Sequence, residues 1–202
     1  MQVETQIRIL EAGKQEFLNR GFADASLRTI AAKANVTTGA IYGYFPDKTA
    51  LFCSIVEPAA KAFKEEFLSA QKSFVQLPEA EQIASMSTYS TSALQKLIDY
   101  IYENFDTFRL IVCCSAGTEY AHYIESLADL ETQYTLDFIE VLRRNRQNTL
   151  SYSENLVHIL CRAYFSTIFE TVAHNMDKSE ADRYIADITA FFKAGWDKIL
   201  RL

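Results

Sequence analysis

SLRTIAAKANVTTGAIYGYF, residues 26–45, is the stretch whose reading decides the fold. Ser26 and Thr37 have side chains that cap helix starts by accepting a backbone N–H. Each opens a short run with apolar residues at helical spacing. Ile30, Ala31 and Ala34 share one face of the first run, and Ile41 and Phe45 share one face of the second. Val36 fills the turn between them, and Ala31 and Ala34 are small enough to let the two helices approach closely. Asn35 stands at the turn, where Asn tolerates positive φ better than most residues. The first run ends near Ala34 and the second near Tyr44. The outward face of the second run carries Thr37, Thr38, Gly39, Ala40, Tyr42, Gly43 and Tyr44: hydroxyls and small residues, with no carboxylate. A rod entering a DNA major groove about 12 Å wide needs short groups for close approach and donors for phosphates and base edges.

The helical reading extends in both directions. Upstream, a helix spans about 4–20, with Ile9, Leu10, Gly13 and Phe17 toward one side and Gly21 closing it as a left-handed cap. Downstream, Pro46 breaks the chain and Asp47 caps a long fourth helix to about residue 74, which Pro58 should kink or divide. A fifth helix begins near Pro78-Glu79 and runs toward Asn104, a short apolar one spans about 105–114, and a long one spans about 118–146. The last turn of that long helix holds Arg143, Arg144 and Arg146, which suit the negative end of a helix dipole. Ser151-x-x-Glu154 reads as a capping box opening a helix over about 152–175, and a final helix covers about 179–202. The glycines and prolines fall mostly at these breaks, and no alternating strand pattern appears. The class is therefore all-α, with about nine helices: a three-helix head with a helix-turn-helix over 1–47, and a larger helical body over 48–202.

The segment GFADASLRTIAAKANVTTGAIYGYFPDKTALF resembles the DNA-binding signature of the tetracycline-repressor (TetR/AcrR) family. The elements are Gly21-Phe22, Ser26-Leu27-Arg28, Ile30-Ala31, Ala34, Val36, Ile41-Tyr42, Tyr44-Phe45, Lys48 and Leu51-Phe52. Ile9-Leu10 and Phe17 match the family's first helix, so the resemblance covers roughly residues 7–52. Asn35 stands where the family usually has Gly, and Gly43 where it often has a bulky or basic residue. The resemblance implies that Arg28 reaches a base or phosphate and that Thr37 and Thr38 bond phosphate or base edges. It implies that Gly39 and Ala40 allow close approach, with Ala40 against a thymine methyl, and that Tyr42 and Tyr44 hold the backbone through their hydroxyls. Lys48 adds a cation at a helix start that itself favours anions. The alternatives are packing of either tyrosine on the first helix, a surface ion pair for Arg28 and plain solvation for Lys48.

Charge alone does not point to nucleic acid. The chain carries a formal −6; residues 1–50 hold six Lys/Arg and five Asp/Glu, a balance of +1, which leaves −7 for the remainder. An acidic body argues against non-specific wrapping of DNA. Four cysteines, Cys53, Cys113, Cys114 and Cys161, form no C-x-x-C pair and fit free thiols in a reducing compartment. No signal-peptide pattern opens the chain, and no run approaches the ~18–20 apolar residues of a membrane span. The expectation is a cytoplasmic protein without membrane contact.

In the body, the helix over 152–175 is apolar on nearly all sides, and the last helix has a broad apolar stripe. This surplus points to a four-helix bundle with a second copy, with Leu156, Ile159, Leu160, Ala163, Ile188, Phe192 and Trp196 at the homodimer interface. The family resemblance implies the same pairing, so that two recognition helices read a palindromic operator. Aromatic and soft polar residues, among them Tyr89, Tyr100, Cys113, His122, Tyr123, Phe165 and Phe169, are the candidate lining of a small-molecule cavity, against the alternative of a plain packed core. His122, His158 and the cysteines show no metal-site spacing, so no metal or cofactor is expected. No nucleophile elbow, phosphate loop or zincin motif occurs, so no enzyme is expected. The function implied is a ligand-responsive DNA-binding regulator: a repressor released from its operator when an effector swings the fourth helix. The alternative is a small-molecule-binding helical protein or enzyme with a structural helix-turn-helix.

Overall fold

The computed structural model describes residues 2–146 and 153–200. Among them are nine α-helices and no strand: α1 (Gln2–Asp24), α2 (Leu27–Lys33), α3 (Thr38–Tyr42), α4 (Lys48–Val75), α5 (Glu79–Glu103), α6 (Phe105–Cys113), α7 (Tyr123–Arg146), α8 (Glu154–Ala173) and α9 (Lys178–Leu200). A 3₁₀ turn, Glu119–His122, precedes α7.

Most boundaries follow the caps read in the sequence. The Ser26 hydroxyl accepts from Thr29 N, Thr37 Oγ1 accepts from Ala40 N at 3.1 Å, and Asp47 Oδ1 accepts from Ala50 N at 2.7 Å. Each satisfies a donor that a helix start leaves without an intrahelical acceptor. Asn35 adopts φ 54°, the left-handed turn expected of it.

Four boundaries differ from the expectation. Gly21 does interrupt α1 with φ 72°, but its ψ of 167° lies outside the left-handed helical region, and a further helical turn follows to Asp24. Pro58 does not divide α4, which continues from Lys48 to Val75. The helix expected from residue 118 begins at Tyr123, because Thr118 Oγ1 accepts from Tyr120 N and winds residues 119–122 into the tighter 3₁₀ form. Ser153, two residues beyond the expected Ser151, caps α8 by accepting from Leu156 N at 3.2 Å. Ser151 and residues 201–202 lie outside the described residues, as does the Arg146 side chain.

The chain forms two compact units. The first comprises Met1–Ala62 and Asn104–Tyr123. Its core holds Ile9, Phe17, Ile30, Ile41, Leu51 and Phe52, all fully buried, with Phe108 and Leu110 of α6. The Phe52 ring meets Phe17 and Phe22 edge-on, with centroids 5.1 and 5.4 Å away. Gly13 lets α1 lie close to α4: a Cβ there would stand 3.2 Å from the end of Ile55 and 3.4 Å from Leu51. Glu16 is the one charged residue buried in this unit among the described residues; it accepts from Lys33 Nζ at 2.8 Å, tying α1 to α2.

The second unit comprises Phe63–Glu103 and Ile124–Leu202. Phe138, Ile139, Val141 and Leu142 of α7 pack with Val157 and Cys161 of α8 and Leu200 of α9, and Trp196 and Ile199 lean on this cluster. By length and composition, α8 is apolar enough to cross a membrane, contrary to the reading that no run approaches a span. One side of it, including Val157, Cys161, Phe165, Ile168, Phe169 and Val172, is nevertheless buried in this unit.

Candidate nucleic-acid interface and the cavity of the body

The short helix α3 is held from behind. Ile41 is fully buried against α2, Phe45 nearly so, and Val36 N donates to Ala31 O to close the turn. With its apolar side fixed, α3 shows its other side to solvent: Thr37, Gly39, Tyr42 and Gly43 are exposed, and Thr38, Ala40 and Tyr44 are half-buried. Tyr42 is 55% exposed, so packing on α1 does not occupy it. Tyr44 has a partner: its hydroxyl donates to Gln2 O at 3.2 Å, at the start of α1. A tyrosine oxygen that donates can still accept, so this bond fixes the ring without removing the oxygen from the surface. No acidic side chain lies between Thr37 and Tyr44.

Arg28 is exposed on α2 and makes no ion pair among the described residues. Lys48 is neither plainly solvated nor fully free. Its ammonium donates to Ala23 O at 2.8 Å and Ala25 O at 3.2 Å and stands 4.7 Å over the Phe22 ring. An ammonium has three donors; two of the three go to these carbonyls, so the group is held in place with one donor left over.

The second unit contains a cavity of about 710 Å³ lined by α4, α5, α7 and α8, within the size range of small-molecule sites. Its wall is mostly apolar and aromatic, and it brings together Tyr89, Phe165 and Phe169 from the candidate lining. Tyr89 turns its hydroxyl to Ala70 O at 2.9 Å. Tyr100 is half-buried in the same unit but is not part of the wall. Cys113, His122 and Tyr123 fall in the other unit. Cys113 and His122 are exposed there, while Tyr123 is buried with its hydroxyl donating to Ala60 O at 2.7 Å.

The sequence reading missed the polar centre of this cavity. Glu131 on α7 reaches its wall and accepts from Gln71 Nε2 at 2.7 Å. Burial among protein atoms pushes its carboxyl up to about 7, against the opposing hydrogen bonds from Gln71 and Thr135. Its spacing was the available signal: Leu127, Glu131, Thr135 and Phe138 stand at intervals of four, four and three, on one face of a helix. Burial also raises the thiols of Cys114 and Cys161, the latter to about 11, which leaves them protonated and weakly nucleophilic at neutral pH.

Of the residues expected at a dimer interface, Leu156, Ile159 and Ala163 are exposed on α8, with Ile159 60% accessible. Leu160, Ile188, Phe192 and Trp196 are half-buried; the Phe192 ring lies 4.9 Å from that of Tyr164, and Trp196 packs on the α7–α8 core. Phe191, which belongs to the apolar stripe of the last helix, is 72% exposed.

Comparison with known proteins agrees with the geometry of the head. The model of the bacterial regulatory proteins of the tetR family matches residues 9–55. The chain is 30% identical over 144 residues to the HTH-type transcriptional repressor BepR of Brucella suis biovar 1 (strain 1330); the match covers 69% of this chain and 65% of that one. In overall fold it is similar to a TetR-like transcriptional regulator from Rhodococcus sp. RHA1, with a TM-score of 0.61 and 18% identity over 95% of this chain and 94% of that one. It is also similar to the transcriptional regulator FadR of Bacillus subtilis in complex with stearoyl-CoA, with a TM-score of 0.56 and 12% identity over 92% and 96% of the two chains. At such identities the structural likeness speaks for the fold alone. The capped two-helix motif with its uncovered second helix and the family match over the same residues make the head of this chain a tetR-family DNA-binding head, set in an all-helical fold similar to that of TetR-like regulators.

Proposed function

We propose that the protein is a non-catalytic, cytoplasmic transcriptional repressor that binds a palindromic DNA operator as a homodimer and leaves it when a small molecule fills the body. The observation that carries this reading is the outward face of α3, uncovered, free of carboxylates and backed by a fully buried Ile41. DNA contact is assigned to residues 1–47 with Lys48, and effector binding and pairing to the rest of 48–202. On DNA, Thr37, Thr38 and Tyr42 supply hydroxyls, Gly39 and Ala40 permit close approach, and Arg28, Tyr44 and the third donor of Lys48 complete the phosphate and base contacts. Pairing is assigned to the exposed apolar side of α8 and α9, because Ile159 and Phe191 leave apolar surface in water that a second copy can cover. The cavity supports the effector: it is roomy, mostly apolar and has few polar groups. An effector that lowers operator affinity ~100-fold must bind the released state about 2.7 kcal/mol better than the DNA-bound state.

A mobility-shift assay with the full chain and duplexes from the DNA flanking its own gene tests the reading. A retarded band at nanomolar protein, weakening steeply as salt rises, is expected. Absence of any complex at low salt removes the proposal.

A further inference from the structure

Two adjacent thiols, Cys113 and Cys114, close α6 in the same compact unit as the α2–α3 motif. Cys113 is exposed and Cys114 is 9% exposed. Burial raises the Cys114 thiol and the Cys113 thiol raises it further, while the Arg109 guanidinium, on the preceding turn of α6, opposes both. Both neighbours therefore lie within electrostatic reach of the Cys114 sulfur. The other cysteines stand among acids: burial, with Glu119, Glu57 and Asp47 around Cys53 and Glu131 near Cys161, pushes each thiol up to about 11. A cation beside a partly exposed thiol pair is the setting that favours thiolate chemistry. The pair is also joined to the head. The Cys114 carbonyl accepts from Phe22 N at 2.9 Å. Phe22 directly follows Gly21, where α1 is interrupted, and its ring lies under the Lys48 ammonium and edge-on to Phe52. Lys48 in turn holds the Ala23 and Ala25 carbonyls, next to the Ser26 cap of α2. A displaced Cys114 carbonyl thus acts on the elbow that sets α2, the helix that backs α3.

We propose that Cys113 and Cys114 are a reversible thiol–disulfide site, oxidised by a low-molecular-weight disulfide to a vicinal disulfide that pulls the Cys114 carbonyl away from Phe22 and lowers operator affinity. The effect on the operator rests on the reading that the head binds DNA; the oxidation itself does not. The exposed Cys113 reacts first. Its thiol gives up a proton, its sulfur attacks one sulfur of the small disulfide, and that S–S bond breaks to expel one thiolate, which takes the proton. Cys114 then loses its proton and attacks the Cys113 sulfur, expelling the second small thiol. Two protein thiols are oxidised and one small disulfide is reduced to two thiols. The product is strained. Adjacent Cα atoms stand about 3.8 Å apart across a trans peptide, whereas disulfides usually span about 4.4–6.8 Å. The backbone at the end of α6 must turn to close the ring, and a strained, exposed disulfide is easily reduced again.

The probe is hydroxyethyl disulfide, applied in excess to the reduced full chain and then removed. Mass spectrometry of the tryptic fragment Leu110–Arg143, which contains Cys113 and Cys114 and no other cysteine, reads the site. Fluorescence anisotropy on a duplex selected with the reduced chain reads the head. We expect the fragment to lose roughly 2 Da, the mass of two hydrogens, and operator affinity to fall roughly tenfold or more, both reversed by dithiothreitol. Cys113→Ser, a change at an exposed position, should bind the duplex like the parent and keep its affinity after treatment, whereas Cys53→Ser should respond like the parent. A fragment that keeps its mass, or that retains a hydroxyethylthio adduct in place of the ring, overturns the inference. A ring that leaves operator affinity unchanged overturns it too, as does an equal loss of affinity in treated Cys113→Ser. If the reduced chain binds no duplex, the DNA reading fails instead, and the fragment mass still decides whether the thiol–disulfide site exists.

Discussion

Replacing Lys33 by Met should destabilise the head through a residue on the opposite helix. Glu16 is 5% exposed and its carboxylate is held by Lys33 Nζ at 2.8 Å. The hydrogen bond from Lys33 is the largest influence holding its pKa below the ordinary 4.5, burial opposes it, and the Lys33 charge and the Ser26 backbone add to the lowering. Removing one partner of a fully buried pair costs roughly 3–5 kcal/mol. The Lys33 side chain is 43% exposed, so water screens and partly replaces it, and the cost falls to about 2 kcal/mol. For a chain of this size that corresponds to a fall in Tm of roughly 4–8 °C. The sign with pH follows from the lowered folded pKa: the stabilisation is present above about 4.5 and disappears as pH falls through the folded value. Thermal unfolding followed by circular dichroism should therefore show a larger difference between Lys33→Met and the parent at pH 7 than at pH 4, where the orphaned carboxyl can take up a proton. The double change Glu16→Leu with Lys33→Met should recover most of the loss, since no buried charge remains. A shift under ~1 °C at pH 7, or one equally large at pH 4, refutes the assignment of this pair as a strut between α1 and α2.

Three further changes separate structural from DNA-contacting roles. Tyr42→Ala, at a side chain 55% exposed, should leave Tm within about 1 °C of the parent and weaken operator binding at least fivefold by fluorescence anisotropy, since surface truncation away from the core costs little stability. Lys48→Met should lower stability by about 1 kcal/mol by freeing the Ala23 and Ala25 carbonyls, and should reduce the salt slope of DNA binding by about one ion per head. Asn35→Ala should cost about 1 kcal/mol in a denaturant titration because Ala lacks the short polar side chain that lets Asn tolerate φ 54°, whereas Asn35→Gly, with no β-carbon to strain, should stay close to the parent.

The head was legible because its signals are local. Ser26, Thr37 and Asp47 announce helix starts within three residues of the donors they satisfy, and the burial of Ile30, Ala31, Ala34, Ile41 and Phe45 follows the helical period. What the sequence hid depends on distant partners. Lys48 looks like a solvated lysine until the carbonyls of Ala23 and Ala25 are folded beneath it. Glu131 looks like one acid among many on α7 until Gln71, sixty positions earlier, is brought to it. Cys113, His122 and Tyr123 share the aromatic, soft character of cavity-lining residues, but composition does not say which compact unit a residue joins, and these three joined the first. Pro58 shows the opposite limit: of the two local outcomes it allows, a kink or a division, the division does not occur, and α4 continues through it.

The central claim, that two copies of the α3 face read symmetric DNA, is tested most directly by selecting bound duplexes from a random-sequence library with the full chain and sequencing them. The account requires enrichment of an inverted repeat whose half-sites lie about one helical turn, ~34 Å, or a small multiple apart. It also requires that enrichment be lost with Tyr42→Ala. No enrichment, or an enriched sequence lacking two-fold symmetry, contradicts it.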